Sequence, residues 1–244
     1  MKKTVAAIIV NYNMPERADA LYEHINRTTE TPVVTYLVDN GSDKMPLAKN
    51  TNVELEENVQ TTAGWLQGLH AADAAGVHID YYWFLITSAE FVDDNDVLTP
   101  LVQLAELDNR IVGVHPALTR DSTTAWKHMI TKGTEWPRSV WTIDNIASLY
   151  DAKWFNSVGR FDSRFIYAWG IDLELGYLAR QQQRRLYICE ACKVRKVTDI
   201  AYSLDRMGMT AAQRRELAGE NMEEVMTAKY GAKWREKIIP SGIT

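Results

Sequence analysis

Cysteine is nearly missing from this sequence: Cys189 and Cys192 are the only 2 in 244 residues. One pair cannot build a disulfide framework, so a reducing compartment such as the cytoplasm is the expected setting. Their C-x-x-C spacing would need two further ligands to hold zinc, and no other cysteine exists and no histidine follows His128. A structural pair at a strand end is the simpler reading. Long apolar runs are missing too. None approaches the ~18–20 residues of a membrane span, so no transmembrane segment is expected. The opening MKKTVAAIIV turns polar at NYN, so it is expected to be a first strand rather than a secretory signal. There are no internal repeats, low-complexity tracts or Pro/Ser-rich linkers, which argues against a string of modules. Nor is there an excess of positive charge. The formal net charge of −5 argues against nucleic acid as the main partner.

What is present points to a core and a repeating plan. Hydrophobic residues make up 46% of the chain and charged residues 24%, ordinary values for a folded domain. The 8 tryptophans are a high count; most such residues are core, but indole faces also stack on sugar rings. The first half alternates strand-like and helix-like segments. TVAAIIV (4–10) is a continuous apolar run suited to a strand buried on both faces. PERADALYEHINRT (15–28) puts Pro15 in a first helical turn and Ala18, Leu21, Tyr22 and Ile25 on one face. VVTYLV (33–38), NVEL (52–55), YYWFLI (81–86) and RIVGVHPAL (110–118) read as strands. TTAGWLQGLHAADAAG (61–76) and DDNDVLTPLVQLAEL (93–107) read as helices. This alternation predicts an α/β fold with a Rossmann-type, mostly parallel central sheet flanked by helices.

Residues 119–142 break the rhythm and read as an excursion. A short helix around YDAKWFNSV, a helix from about Ile171, strands at RRLYIC and KVRKV, and a polar helical tail over about 208–238 follow. The expected organisation is a domain over 1–207 with a helical C-terminal appendage, 208–244, packed on it. The tail is amphipathic through Leu217, Met222, Val225, Met226 and Tyr230. Packing on its own domain is expected, with a peripheral membrane contact as the alternative.

In such a sheet, ligands bind beyond the carboxyl ends of the strands, and polar clusters sit there. Asn11, Tyr12 and Asn13 end the first strand; Asp39, Asn40 and Ser42 end the second; Ser88 and Glu90 follow the fourth. A carboxylate at a strand tip accepts hydrogen bonds from a base or ribose, and a tyrosine ring stacks on a base, so two such tips side by side describe a nucleotide pocket. Each alone is also an ordinary turn, since Asp39-Asn40-Gly41-Ser42 carries turn chemistry of its own. The second cluster is YAWGIDLELGYLAR (167–180). Asp172 and Glu174 fall where an irregular aromatic segment becomes a helix, where the helix dipole favours acids. Asp172 is also placed to act as a general base toward an attacking hydroxyl. Trp126, Trp136, Trp141 and Trp169 offer ring faces to a sugar, and Asp144 is a further polar group.

AAIIVNYN, VDNGS, ENVQTTAGWLQGL and SVGRFDSRFIYAWGIDLEL occur in an order that resembles family-2 glycosyltransferases with the GT-A fold. In the third stretch Asn58 and Gly68 match an Asn-x-Gly…Asn-x-Gly run, whereas Gln60 and Leu66 depart from it. The fourth resembles a Val-Gly-Gly-Phe-Asp segment followed by an Asp-containing acceptor motif. It also resembles, one residue short, the Trp-Gly-x-Glu-Asp-x-Glu-Leu motif of related transferases. Either alignment puts Asp172 on an acid of the motif, and the match spans about residues 4–197.

The resemblance implies a nucleotide-sugar donor, often UDP-linked, held by Asn11, Tyr12, Asn13, Asp39, Asn40, Ser42, Asn58, Ser88 and Lys196. It implies a saccharide or glycoconjugate acceptor, of the polysaccharide-building kind, lined by Trp169, Gly170 and Glu174. It implies transfer with inversion, Asp172 deprotonating the acceptor hydroxyl. A retaining transferase and a non-catalytic sugar-nucleotide binding protein are the alternatives left open.

The resemblance also implies a divalent metal, and there the sequence departs from it. Where the family carries Asp-x-Asp, this chain reads Ser88-Ala89-Glu90. A hard dication wants several oxygen ligands, and this triplet keeps one carboxylate. Where the family often has a metal-binding histidine, this chain has Lys196. Two expectations stay open. Glu90 holds Mn2+ or Mg2+ with waters completing the shell, or metal use is weakened and Lys196, with Arg195, supplies positive charge to the diphosphate. A solvated edge strand accounts for KVRKV equally well.

Overall fold

The computed structural model describes residues 2–197 and 207–241. Residues 198–206, which lead into the boundary expected at 207/208, and 242–244 of the expected appendage lie outside them. Strand β1 (Val5–Asn11) is buried along its whole length. Helix α1 (Pro15–Thr28) starts on Pro15, where a missing N–H costs nothing, and buries Ala18, Leu21 and Ile25. There follow β2 (Val33–Asp39), β3 (Val53–Glu54), α2 (Gln60–Ala74), β4 (Tyr81–Ile86), β5 (Ala89–Phe91), α3 (Leu98–Ala105) and β6 (Ile111–Leu118). The second half holds β7 (Arg138–Val140), β8 (Ala147–Asp151), α4 (Ala152–Ser157), α5 (Ile171–Gln181), β9 (Arg185–Lys196), α6 (Ala211–Tyr230) and α7 (Trp234–Ile238).

The nine strands of the described residues form one sheet in the order β3-β2-β1-β4-β8-β6-β9-β5, with β7 paired to β9. β3, β2, β1 and β4 run parallel, as do β6 and β9. β8 runs against both β4 and β6, while β5 and β7 run against β9. The sheet is therefore mixed, which corrects the expectation of a mostly parallel one. The chain between β6 and β8 runs back along β9 as β7 and then returns, so β8 starts opposite Leu85 near the carboxyl end of β4 and runs against its neighbours. The two strands expected at RRLYIC and KVRKV are one strand, β9, interrupted by a bulge: Pro116 pairs with Cys189 and Ala117 with Lys193. Both cysteines are buried and unpaired.

This topology gathers the carboxyl ends of β1, β2, β4, β6 and β9 at one end of the sheet. Helix α5 leads back to the start of β9, so its own N-terminal turn lies at that same end. The core below is aromatic, with Phe84 packed against Trp65, Tyr150, Phe155 and Phe161. Helix α6, opened by a capping box between Thr210 and Gln213, lies on this domain and buries Val225 and Met226. Trp234 and Ile238 of α7 are buried as well. No helix among the described residues is long and apolar enough to cross a membrane.

Candidate active site

β1 and β2 end side by side, with Asn11 level with Asp39. Asp39 is fully buried and accepts three hydrogen bonds: from Asn11 Nδ2 at 3.0 Å, the Ser42 amide at 2.8 Å and the Ser42 hydroxyl at 2.7 Å. Bonds to a charged acceptor are the strong ones, and these lock the two tips together. Asn40 reaches the next loop, donating to Asn58 Oδ1 at 3.1 Å and accepting from the Val59 amide at 3.0 Å. Asn13 accepts from the amides of Lys44 and Met45. The chain turns between them at Gly41, φ +69°, where a β-carbon would stand 2.2 Å from the carbonyl carbon of Glu57. Only glycine lets this loop lie against residues 57–58. Asn11, Asn13, Asp39, Asn40, Ser42 and Asn58 are thus brought together, but their polar atoms are largely turned on one another and build the walls of the tips. Tyr12 is half-buried beside them, its hydroxyl donating to Asp43 at 3.1 Å.

The opposite wall is the start of α5. Ala168 (φ +64°) and Gly170 (φ +93°) turn the chain into the helix, and Gly170 packs under Phe165 and Met222. Asp172, in the first turn, is buried. Burial first, and the charge of Asp144 second, push its carboxyl up to about 7, against the opposing pull of nearby backbone N–H groups and the Trp126 side chain. Asp144 is held by Lys196 Nζ at 3.2 Å, and the Thr142 hydroxyl donates to the Asp172 carbonyl at 2.6 Å. The segment between β6 and β8 therefore closes over the helix start. A carboxyl poised near neutrality, at the end where the strand tips gather, can take a proton from a hydroxyl. Trp169 stands beside it, 43% exposed. Glu174, expected at the acceptor site, turns its carboxylate to the C-terminal helix. It is buried against α6, paired with Lys229 and accepting from the Tyr230 hydroxyl at 2.6 Å, so it fastens the C-terminal helix to α5.

Beyond β4 lie the residues expected to hold a metal. Glu90 pairs with Arg195 at 2.5 Å, and Arg195 also with Asp121 at 3.5 Å. The antiparallel register of β5 and β9 sets Glu90 opposite Arg195 and Ala89 opposite Lys196. Ser88 offers its carbonyl to the Val197 amide at 3.0 Å. Two cations stand where a dication would sit, and among the described residues no three His, Cys, Asp or Glu side chains converge as a ligand group. The described residues do not fit a divalent metal as they stand. Lys196 lies at the tip as expected, but Asp144 already neutralises it.

Two further groups belong to this region. Arg214, near the start of α6, lies over the Tyr167 ring at 4.3 Å and donates to Gln60 Oε1 at 2.9 Å. No carboxylate of the described residues lies within 4.0 Å of its guanidinium, and burial holds its pKa below the usual value. Gln60, at φ +67°, accepts from Asn40 through its carbonyl at 3.3 Å. A cation with no counter-ion among the described residues thus stands between the second strand tip and the segment leading into α5. One signal of it is legible in the sequence: Arg214, Ala218 and Met222 recur at helical spacing, which puts Arg214 on the packed face. His115 is the second group. Burial pushes it down to about 4, so it is neutral; Nε2 accepts the Ala147 amide at 3.2 Å and Nδ1 donates to the Pro116 carbonyl at 2.5 Å. It braces β6 against β8.

No protein-family model matches the chain, and no curated protein matches it. Solved structures do match in fold. One is GalNAc-T7 with UDP, GalNAc and Mn2+, at a TM-score of 0.62 and 14% sequence identity. The match covers 80% of this chain and 43% of that one, so this chain spans less than half the length of that neighbour. At this identity the likeness is one of fold: the chain has a GT-A-like fold.

Proposed function

We propose that the protein is an inverting glycosyltransferase that moves a sugar from a nucleotide-sugar donor, UDP-linked, to a hydroxyl of a saccharide or glycoconjugate acceptor. Asp172 is the general base. It takes the proton of the acceptor hydroxyl as the oxygen attacks the anomeric carbon, and the bond to the diphosphate breaks on the opposite face. The nucleotide lies against the tips of β1 and β2, its base on Tyr12. Arg214 meets the charge that grows on the leaving diphosphate, and no step runs through a metal. The position of Asp172 carries this reading: a buried carboxyl in the first turn of α5, at the end of the sheet where the polar tips gather. The fold supports a transferase; membership of family 2 rests on the order of the sequence motifs.

A thermal-shift screen of nucleotide sugars, followed by transfer assays, tests it. Asp172→Asn is expected to cut transfer by about 10²-fold or more and to leave UDP affinity nearly unchanged. Transfer is expected to survive excess EDTA, because Glu90 is engaged by Arg195. Wild-type protein that binds UDP but neither transfers nor hydrolyses any donor would replace this reading with that of a binding protein. Product anomer analysis separates inversion from retention.

A further inference from the structure

A groove of about 770 Å3 lies away from the strand tips, between β7, the C-terminal half of α5 and the start of β9. Arg138, Arg180, Arg184 and Arg185 line it together with His128 and Trp141, and no acid does. Arg138 is matched by the buried Glu190 at 2.7 Å, and Arg185 reaches Asp108 only at 3.7 Å. Arg180 and Arg184 have no carboxylate within 4.0 Å among the described residues. They donate to backbone carbonyls instead, Arg180 to Trp141, Gly176 and Ile238, Arg184 to Asn109. Arg180 is half-buried, and a guanidinium withdrawn from water without a counter-ion is costly to hold. Two acids against four arginines leave the groove cationic, and planar guanidinium forks suit a tetrahedral dianion better than a point charge does.

The groove connects to the reacting end through tryptophan. Arg180 lies over the Trp141 ring at 5.8 Å. Trp141 meets Trp126 edge-on at 5.5 Å between centroids, and Trp126 lies near enough to the Asp172 carboxyl to favour its charged form. Asp172 and Arg180 stand on one helix, about 12 Å apart along its axis. We propose that this groove binds a phosphoryl group carried by the acceptor, at a distance from the hydroxyl that reacts. Its role as an acceptor site rests on the transferase reading above; the binding of the anion does not.

Calorimetric titration of the whole chain with inorganic pyrophosphate, in excess UDP to fill the strand-tip pocket, tests the site. Wild-type protein is expected to bind. The double variant Arg184→Gln/Arg185→Gln, whose side chains lie at the surface end of the groove, is expected to bind about tenfold more weakly or worse, with its Tm and UDP affinity unchanged. Affinity should fall as salt rises. No pyrophosphate binding by the wild type, or equal binding by the double variant, overturns the proposal. Flotation with phosphatidylcholine vesicles, with and without phosphatidylglycerol, identifies the source. Arginine-dependent flotation on the anionic vesicles places the phosphoryl on a lipid; pyrophosphate binding without flotation places it on a soluble acceptor. If pyrophosphate binds through Arg184 and Arg185 while no UDP or nucleotide sugar binds, the anion site stands and the transferase reading falls.

Discussion

Asp172 must be ionised to accept a proton, yet its surroundings favour the neutral acid through burial and the facing charge of Asp144. Transfer is therefore expected to rise with pH along a limb centred near about 7. The charged and titratable groups around it are Asp144 and Tyr150, with Lys196 and His115 behind Asp144. Asp144→Asn removes the like charge, so a pH–rate profile of that variant should show the limb at lower pH. Stability follows the opposite course. The unfolded carboxyl titrates near about 4 and the folded one higher, so between them the folded state binds the extra proton and stability falls as pH rises through that window. Melting curves at about pH 5 and about pH 8 should show the loss in wild-type protein and a smaller one in Asp172→Asn. The place of Asp172 in the first turn of a helix was legible in the sequence, because an irregular aromatic segment gives way there to a helical pattern. Its dependence on Asp144 was not, since a loop residue's neighbour across the cleft leaves no period to read. Arg214 was half-legible: the helical stripe shows its face but not what the face meets.

At the scale of elements, continuous apolar runs and helix starts were readable. Pro15 and Thr28 bound α1 as the pattern predicts, and YYWFLI is β4 residue for residue. The direction of β8 was not readable, because a strand buried on both faces has the same composition whichever way it runs. β7, with 3 residues, is too short to show alternation. The loop after β2 makes an element-level prediction. Gly41→Ala puts a methyl group into the backbone of residues 57–58 at a positive φ. It should lower Tm by several degrees, a cost above about 1 kcal/mol, and weaken UDP binding, since Asn40 and Asn58 are set by the same turn. Gly219→Ala is the control, because a β-carbon there meets nothing within 4 Å. That pair of melting curves separates a general glycine effect from the strand tip.

For the whole molecule, the α/β class could be argued from sequence, whereas the mixed sheet needed the order in which strands pair. The C-terminal helix is bound by polar as well as apolar contacts. Lys229 pairs with Asp162 at 2.7 Å and with Glu174, and Asn221 bridges Arg164 and Ile166. Lys229→Ala leaves the buried Glu174 without its paired cation, and a Tm loss of several degrees is expected by calorimetry. The same helix carries Arg214 to Gln60 and Met222 to Gly170. Whatever grips the outer surface of that helix and draws it away would unseat Glu174, the Gly170 turn and Arg214 in a single movement. The outer surface of α6 is thus a grip by which a bound antibody would disturb all three at once.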